Sequence, residues 1–170
     1  MPEIITLKLL FLVGFTLHNL EEALWLPGWS ANAGKWQRPL DRNSFIFALI
    51  IITLLGYLIT LADILDGQTG NFIHYLFLGF AGMMGLNAVF PHLAATLLLK
   101  KYAPGLLTGL LLNLPLSLIL IIHSLQNGAR LSILLPAVIL VSGLVLFSLK
   151  YLFRFGGKIS AVFSREGDPG

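Results

Sequence analysis

The sequence predicts an all-α protein, a polytopic membrane helix bundle of about five transmembrane helices with its N-terminus out and its C-terminus in. Three observations lead there. Of the 170 residues, 56% are hydrophobic and 11% charged, and the mean hydropathy is +0.86; soluble domains are about a quarter charged. The apolar residues fall into runs long enough to cross a bilayer, and the basic residues gather at alternate ends of those runs. A chain of this length holds four to six spans with short connections and no separate soluble domain. Residues 1–158 therefore read as one transmembrane helix-bundle domain and 159–170 as a polar C-terminal tail without ordered structure.

Each element has its own signal. The first helix is expected from about Ile4 to Leu26, ending at "PGW", and the second from about Ser44 to Leu65, ending at "DGQTGN". The third is expected from about Phe72 to Leu99, ending at "KKYAPG". Glycine, proline and asparagine at these stops are the residues that end helices. The fourth spans about Gly105 to Leu125, with Pro104 just ahead of its first turn, and the fifth about Leu131 to Phe155. The pair Ala31 and Ala33 resembles a signal-peptide cleavage site. Cleavage is not expected, because the start is not basic and a signal core does not carry His18, Glu21 and Glu22.

An odd number of spans puts the termini on opposite sides. Lys35, Arg38, Arg42, Lys100, Lys101, Lys150, Arg154, Lys158 and Arg165 then share one side, against Lys8 and Arg130 on the other. The positive-inside tendency makes the first side cytoplasmic and the location the inner (plasma) membrane. Trp25, Trp29, Trp36, Tyr102 and Tyr151 cluster at the same ends, at headgroup level. The formal charge of +3 is explained by topology; the basic residues form no single face of the kind nucleic acid requires. With no cysteine, disulfides, thiolate metal sites and thiol nucleophiles are excluded.

The stretch "LHNLEEALW", Leu17 to Trp25, interrupts the first apolar run with a histidine and two glutamates. Such groups cost about 2.5–3.5 kcal/mol each in a span, so they tend to face inward, pair and mark a working site. Positions i, i+3 and i+4 share a helix face, which sets His18, Glu21 and Glu22 together. His92 on the third helix reaches a comparable depth, and Asn87, Thr108, Asn113 and Trp25 are expected to line a substrate pocket beside it. His18, Glu21, Glu22 and His92 are thus the candidate catalytic set and the candidate ligands of a divalent metal, Zn²⁺ or Fe²⁺. Without metal, one carboxylate would serve as acid and a histidine as base. A structural reading stands beside this one: both glutamates at the interface, paired with Lys35, Arg38, Lys100 or Lys101. His74 and His123 fall near the outer ends of their helices, and Asp63 and Asp66 read as part of an outer turn. Gly79, Gly82 and Gly85, and Gly105 with Gly109, read as close-packing seams between helices or between subunits of a homodimer.

"HNLEE" at His18 to Glu22 resembles the signature of the HXXEE family of small prokaryotic membrane proteins. "HLAATLLLKKYAPGLLTGLLLNLP", His92 to Pro115, is similar to that family's second segment. The resemblance covers most of the chain and points to His18, Glu21 and Glu22, then His92, Tyr102, Pro104, Gly105 and Thr108. It implies no activity, the family being uncharacterised. Membrane glutamate proteases of the prenyl-endopeptidase type carry an arginine four residues after their second glutamate; here that position is Leu26. Sterol-isomerase-type proteins share the His/Glu chemistry but not the motif. The expected function is a membrane-embedded enzyme, a hydrolase or isomerase, acting on a lipophilic substrate such as a lipid or isoprenoid. A small transporter of protons, cations or a small solute, and an assembly subunit without catalysis, are the alternatives; membrane lipids are the expected partners.

Overall fold

The computed structural model describes residues 2–34 and 39–166, with side chains for 3–34 and 39–161. It contains five long helices: α1 (Pro2–Ser30), α2 (Arg42–Asp66), α3 (Phe72–Leu99), α4 (Leu106–Gln126) and α5 (Leu131–Glu166). All five are long and apolar enough to cross a membrane. Asp41 caps α2, its carboxylate accepting from the Ser44 amide at 2.9 Å, and Asn71 caps α3 through the His74 amide at 2.9 Å. Gly67 closes α2 at φ 66°, a conformation that suits glycine.

Two helices run past their expected ends. Pro27 does not stop α1, which continues to Ser30. The lost proline donor affects only the Ala23 carbonyl, and the Ser30 hydroxyl donates to the Pro27 carbonyl at 2.7 Å in the extra turn. Helix α5 passes Phe155 and the expected tail boundary at 159, staying helical to Glu166. Gly156 and Gly157 let it lie against Ser44 and Phe47 of α2. Lys35, Trp36 and Arg38 and the side chain of Arg165, used in the topology argument, lie outside the described residues.

Helix α3 is the most buried and forms the axis of the bundle. A Cβ on Gly79 would stand 2.9 Å from the Ala137 carbonyl oxygen, one on Gly82 2.6 Å from Val138, and one on Gly85 3.1 Å from Ser117. The glycine stripe of α3 is therefore a seam with α5 and α4 inside one chain. Phe11 and Phe15 of α1 meet Phe77 and Phe80 of α3 in edge-on contacts at 5.2–6.2 Å between centroids. All four rings are fully buried. The outward faces of α2, α4 and α5 are rows of exposed leucine, isoleucine and phenylalanine, the surface expected against lipid tails.

Two polar clusters lie on either side of this phenylalanine layer. One, which sequence reasoning missed, joins three helices: Lys8 Nζ is 2.7 Å from Asp63 Oδ2, and His74 Nδ1 is 2.9 Å from Asp63 Oδ1. Asp63 is fully buried and does not belong to an outer turn. Burial demands a partner for such a charge, and the three helices supply it. The second cluster contains His18.

Candidate functional site

Helices α3 and α4 are both irregular where they meet α1. In α3 the helix breaks within Ala88–Leu93: Phe90 leaves helical geometry at φ −133° and ψ 115°, and the Phe90–Pro91 peptide is cis. In α4 a π-helical segment covers Gly109–Asn113, a single wide turn of a kind that often accompanies functional sites. The first carries His92, and the second follows directly on Thr108.

His18, Glu22 and His92 converge: one donor atom from each lies within 4.8 Å of the others. His92 Nε2 is 2.9 Å from Glu22 Oε1, His18 Nε2 is 3.6 Å from the same oxygen, and the two rings meet edge-on at 5.1 Å. Both histidines are buried, while Glu22 keeps 14% of its side chain accessible. The Asn87 amide nitrogen lies 3.1 Å from both His18 Nε2 and His92 Nε2. Room for the two rings depends on Gly105, where a Cβ would stand 2.6 Å from His92 Cε1 and 2.9 Å from His18 Cε1. Its φ of 93° disfavours other residues in any case.

Glu21 stands apart from this group. Consecutive residues on a helix point about 100° apart, and the carboxylate turns toward the start of α4. There Oε1 accepts from the Gly105 amide at 2.8 Å and from the Tyr102 hydroxyl, and Oε2 accepts from the Thr108 amide at 3.1 Å and the Thr108 hydroxyl at 2.6 Å. A carboxylate holding the free amides of a helix N-terminus is a capping arrangement, here supplied by another helix. Burial and donation to Glu21 hold the Tyr102 phenol above its ordinary pKa. The Thr108 hydroxyl also lies 3.2 Å from His18 Nδ1. Having given its one hydrogen to Glu21, it accepts there, so Nδ1 carries the ring hydrogen and Nε2 offers a lone pair. The two glutamates thus address opposite edges of one imidazole.

Of the other expected pocket residues, Asn87 and Thr108 belong to the site. Asn113 is fully buried, both its amide atoms lack a hydrogen-bond partner, and its oxygen lies beside Gly14. Trp25 is exposed and lines an apolar groove of about 890 Å³ between α1 and the start of α4, with Leu17, Leu20, Leu24, Tyr102 and Leu107. Glu21 and Thr108 form the polar part of that groove. His123 lies near the far end of α4, where its Nε2 is 3.5 Å from the Asn127 amide nitrogen.

The residues present fit a divalent cation. Two imidazole nitrogens and a carboxylate oxygen form the N/O set used by catalytic zinc, and by iron or manganese, with further positions left for other ligands. The bond from His18 Nδ1 to the Thr108 hydroxyl is of the kind that orients such a ligand.

Fold and site together define a small bundle of five membrane-length helices holding one internal His/Glu cluster. The chain belongs to the family described as "protein of unknown function with HXXEE motif", which matches residues 9–120. It is 44% identical over 151 residues to the uncharacterized protein YrkK of Bacillus subtilis (strain 168), covering 88% of this chain and 95% of that protein. No solved structure matches.

Proposed function

We propose that this protein is a membrane-embedded, metal-dependent enzyme acting on a lipophilic substrate, with His18, Glu22 and His92 as metal ligands. The observation that carries the reading is the convergence of those three donor atoms within 4.8 Å inside an apolar bundle. Buried ionisable groups in such a setting are rarely without a task. Bound there, a divalent ion would polarise a carbonyl or phosphoryl oxygen, or acidify a water. Glu22, the partly accessible member, would be the side from which the site is reached. The groove beside Trp25 and Leu107 would hold an acyl or isoprenoid chain. The positive-inside tendency of the basic residues at alternate helix ends supports a reading in which this half of the bundle would face the cytoplasmic leaflet of the plasma membrane.

Transport is the weaker reading. Phe11, Phe15, Phe77 and Phe80 form a layer of fully buried rings between the His18 cluster and the Lys8–Asp63–His74 cluster, and the half of α1 beyond that layer is largely apolar. Metal analysis of detergent-purified protein tests the proposal. Wild type should carry near-stoichiometric zinc, iron or manganese, and His18→Ala should lose it. If neither form retains or takes up metal, the metal-dependent reading falls. Incubation with a membrane lipid extract should then show a species consumed by wild type and spared by Glu22→Gln.

A further inference from the structure

With both imidazoles neutral, the hydrogens at the His18 site do not balance, and Asn87 is where they fail. His18 Nε2 has a lone pair, because Nδ1 donates to Thr108. Suppose His92 Nε2 carries a hydrogen and donates to Glu22 Oε1 at 2.9 Å. It then opposes the amide hydrogen of Asn87 at 3.1 Å. Suppose His92 Nε2 is bare instead. The two Asn87 hydrogens are then accepted by the two Nε2 atoms, but Glu22 Oε1 faces a lone pair with nothing between. Protonating Glu22 asks the single lone pair of His92 to accept two hydrogens. Turning the amide over sets its oxygen against the lone pair of His18. Every assignment in which both imidazoles are neutral leaves one close contact without a properly shared hydrogen.

A cation removes the conflict, since every atom in the group has a lone pair to give it. We propose that Asn87, through Oδ1, is the fourth ligand of a first-row divalent metal held by His18 Nε2, Glu22 Oε1 and His92 Nε2. Amide nitrogen and oxygen exchange places by a half-turn of the side chain, so the 3.1 Å separations from both imidazoles apply equally to Oδ1. Ligands about 2.0–2.1 Å from a tetrahedral zinc stand about 3.3 Å from one another. Four of the six ligand–ligand separations, 2.9, 3.1, 3.1 and 3.6 Å, bracket that value, and the donor atoms of His18, Glu22 and His92 all lie within 4.8 Å of one another. Asn87 is the only neutral oxygen donor of the four. It is therefore the ligand a water or a substrate oxygen displaces most readily, which a catalytic centre needs and a purely structural one does not. This inference rests on the metal reading given above and assigns the position at which substrate would enter the coordination sphere.

Cobalt(II) titration separates the two ideas. Purified wild type should bind one equivalent of cobalt with the intense visible absorption of a four-coordinate N/O site. Asn87→Asp supplies a charged oxygen and should bind at least about 10-fold more tightly, whereas Asn87→Leu should bind at least about 10-fold more weakly with an altered spectrum. An Asn87 that serves only as hydrogen donor to the two imidazoles predicts the opposite for aspartate, which has no hydrogens to give. Loss of binding in a folded Asn87→Asp, or unchanged affinity and spectrum in Asn87→Leu, overturns the inference while leaving the three-ligand site standing. A wild type that takes up neither cobalt nor zinc overturns both. If Asn87→Leu does not fold, judged by circular dichroism and size exclusion, the near-isosteric Asn87→Asp decides alone.

Discussion

Glu21→Gln should destabilise the protein and weaken the proposed metal site together, although Glu21 stands apart from the three proposed ligands. The carboxylate accepts four hydrogens, from the Gly105 amide, the Thr108 amide, the Thr108 hydroxyl and the Tyr102 hydroxyl. Glutamine has one acceptor oxygen. With that oxygen kept on Gly105 and Tyr102, its NH₂ group faces both Thr108 donors. The Thr108 amide is then left unpaired, at about 1–3 kcal/mol. The remaining bonds drop from charge-assisted to neutral, at about 1 kcal/mol each. Loss of the negative charge at the α4 N-terminus adds about 0.3–1 kcal/mol. With two such bonds, to Gly105 and Tyr102, the sum is about 3–6 kcal/mol. The Thr108 hydroxyl can escape the clash only by turning its hydrogen toward His18 Nδ1. That moves the ring hydrogen to Nε2 and removes the lone pair the metal needs, so metal affinity should fall at least about 10-fold. Reversible unfolding in mixed micelles, followed by circular dichroism, reads the first effect, and cobalt competition reads the second. Glu22→Gln is the contrast: metal binding lost, with stability changed by less than about 1 kcal/mol. A Glu21→Gln protein within 1 kcal/mol of wild type, with unchanged cobalt affinity, would refute both the capping role and the hydroxyl link to His18.

Asp63→Ala should cost about 3–5 kcal/mol in the same unfolding assay, because it leaves Lys8 buried without its counter-charge. Adding Lys8→Met should restore most of that loss, and a double variant as unstable as the single one would contradict the pairing. Asp41→Ala should cost about 1 kcal/mol as a lost cap of α2. The Ser44 hydroxyl and then the Ser44 amide hold the Asp41 carboxyl below its ordinary pKa. Its contribution is therefore fully present above the ordinary value of about 4 and fades as pH falls through the lowered one. Wild type and Asp41→Ala should accordingly converge in stability toward the acid end of a pH series; a constant difference across the series would show that Asp41 caps without its charge.

The five long apolar helices were legible because hydropathy along a chain marks continuous apolar segments, and "DGQTGN" and "KKYAPG" break helices in any setting. The meeting of His18, Glu22 and His92 was legible for a similar reason: buried polar groups at one depth have few partners besides each other. What could not be read was local wrapping. The kink within Ala88–Leu93 precedes His92, and the wide turn at Gly109–Asn113 follows Thr108 and ends at Asn113. Thr108 joins the site and Asn113 does not, although they are five positions apart on one helix. Pro91 and Pro115 mark where each helix loses a backbone donor, but not which way the chain turns there. Asp63 was misplaced because nearness to a helix end is visible in sequence, whereas a salt bridge to Lys8, 55 residues earlier, is not. Pro27 illustrates the limit of a breaker rule, since a proline late in a helix removes only one donor and an added hydroxyl can sustain another turn.

The spacing of "HNLEE" has a physical explanation in this geometry. A residue four positions after His18 lies one turn along the same face, so Glu22 meets the Nε2 edge of the ring and the incoming His92. A residue three positions after lies on the other flank, so Glu21 passes beside the ring to the start of α4. Exchanging the two roles would require His18 to present its Nδ1 edge to His92, against the direction in which Thr108 holds it. Neither glutamate can replace the other, and each loss should have its own signature: Glu22 metal alone, Glu21 metal and fold together. A motif that served only to bring charge into the membrane would need one acidic residue after the histidine. The second one is explained because a histidine buried among apolar helices offers the correct nitrogen only when something fixes its tautomer, and here the group that fixes it also joins α1 to α4.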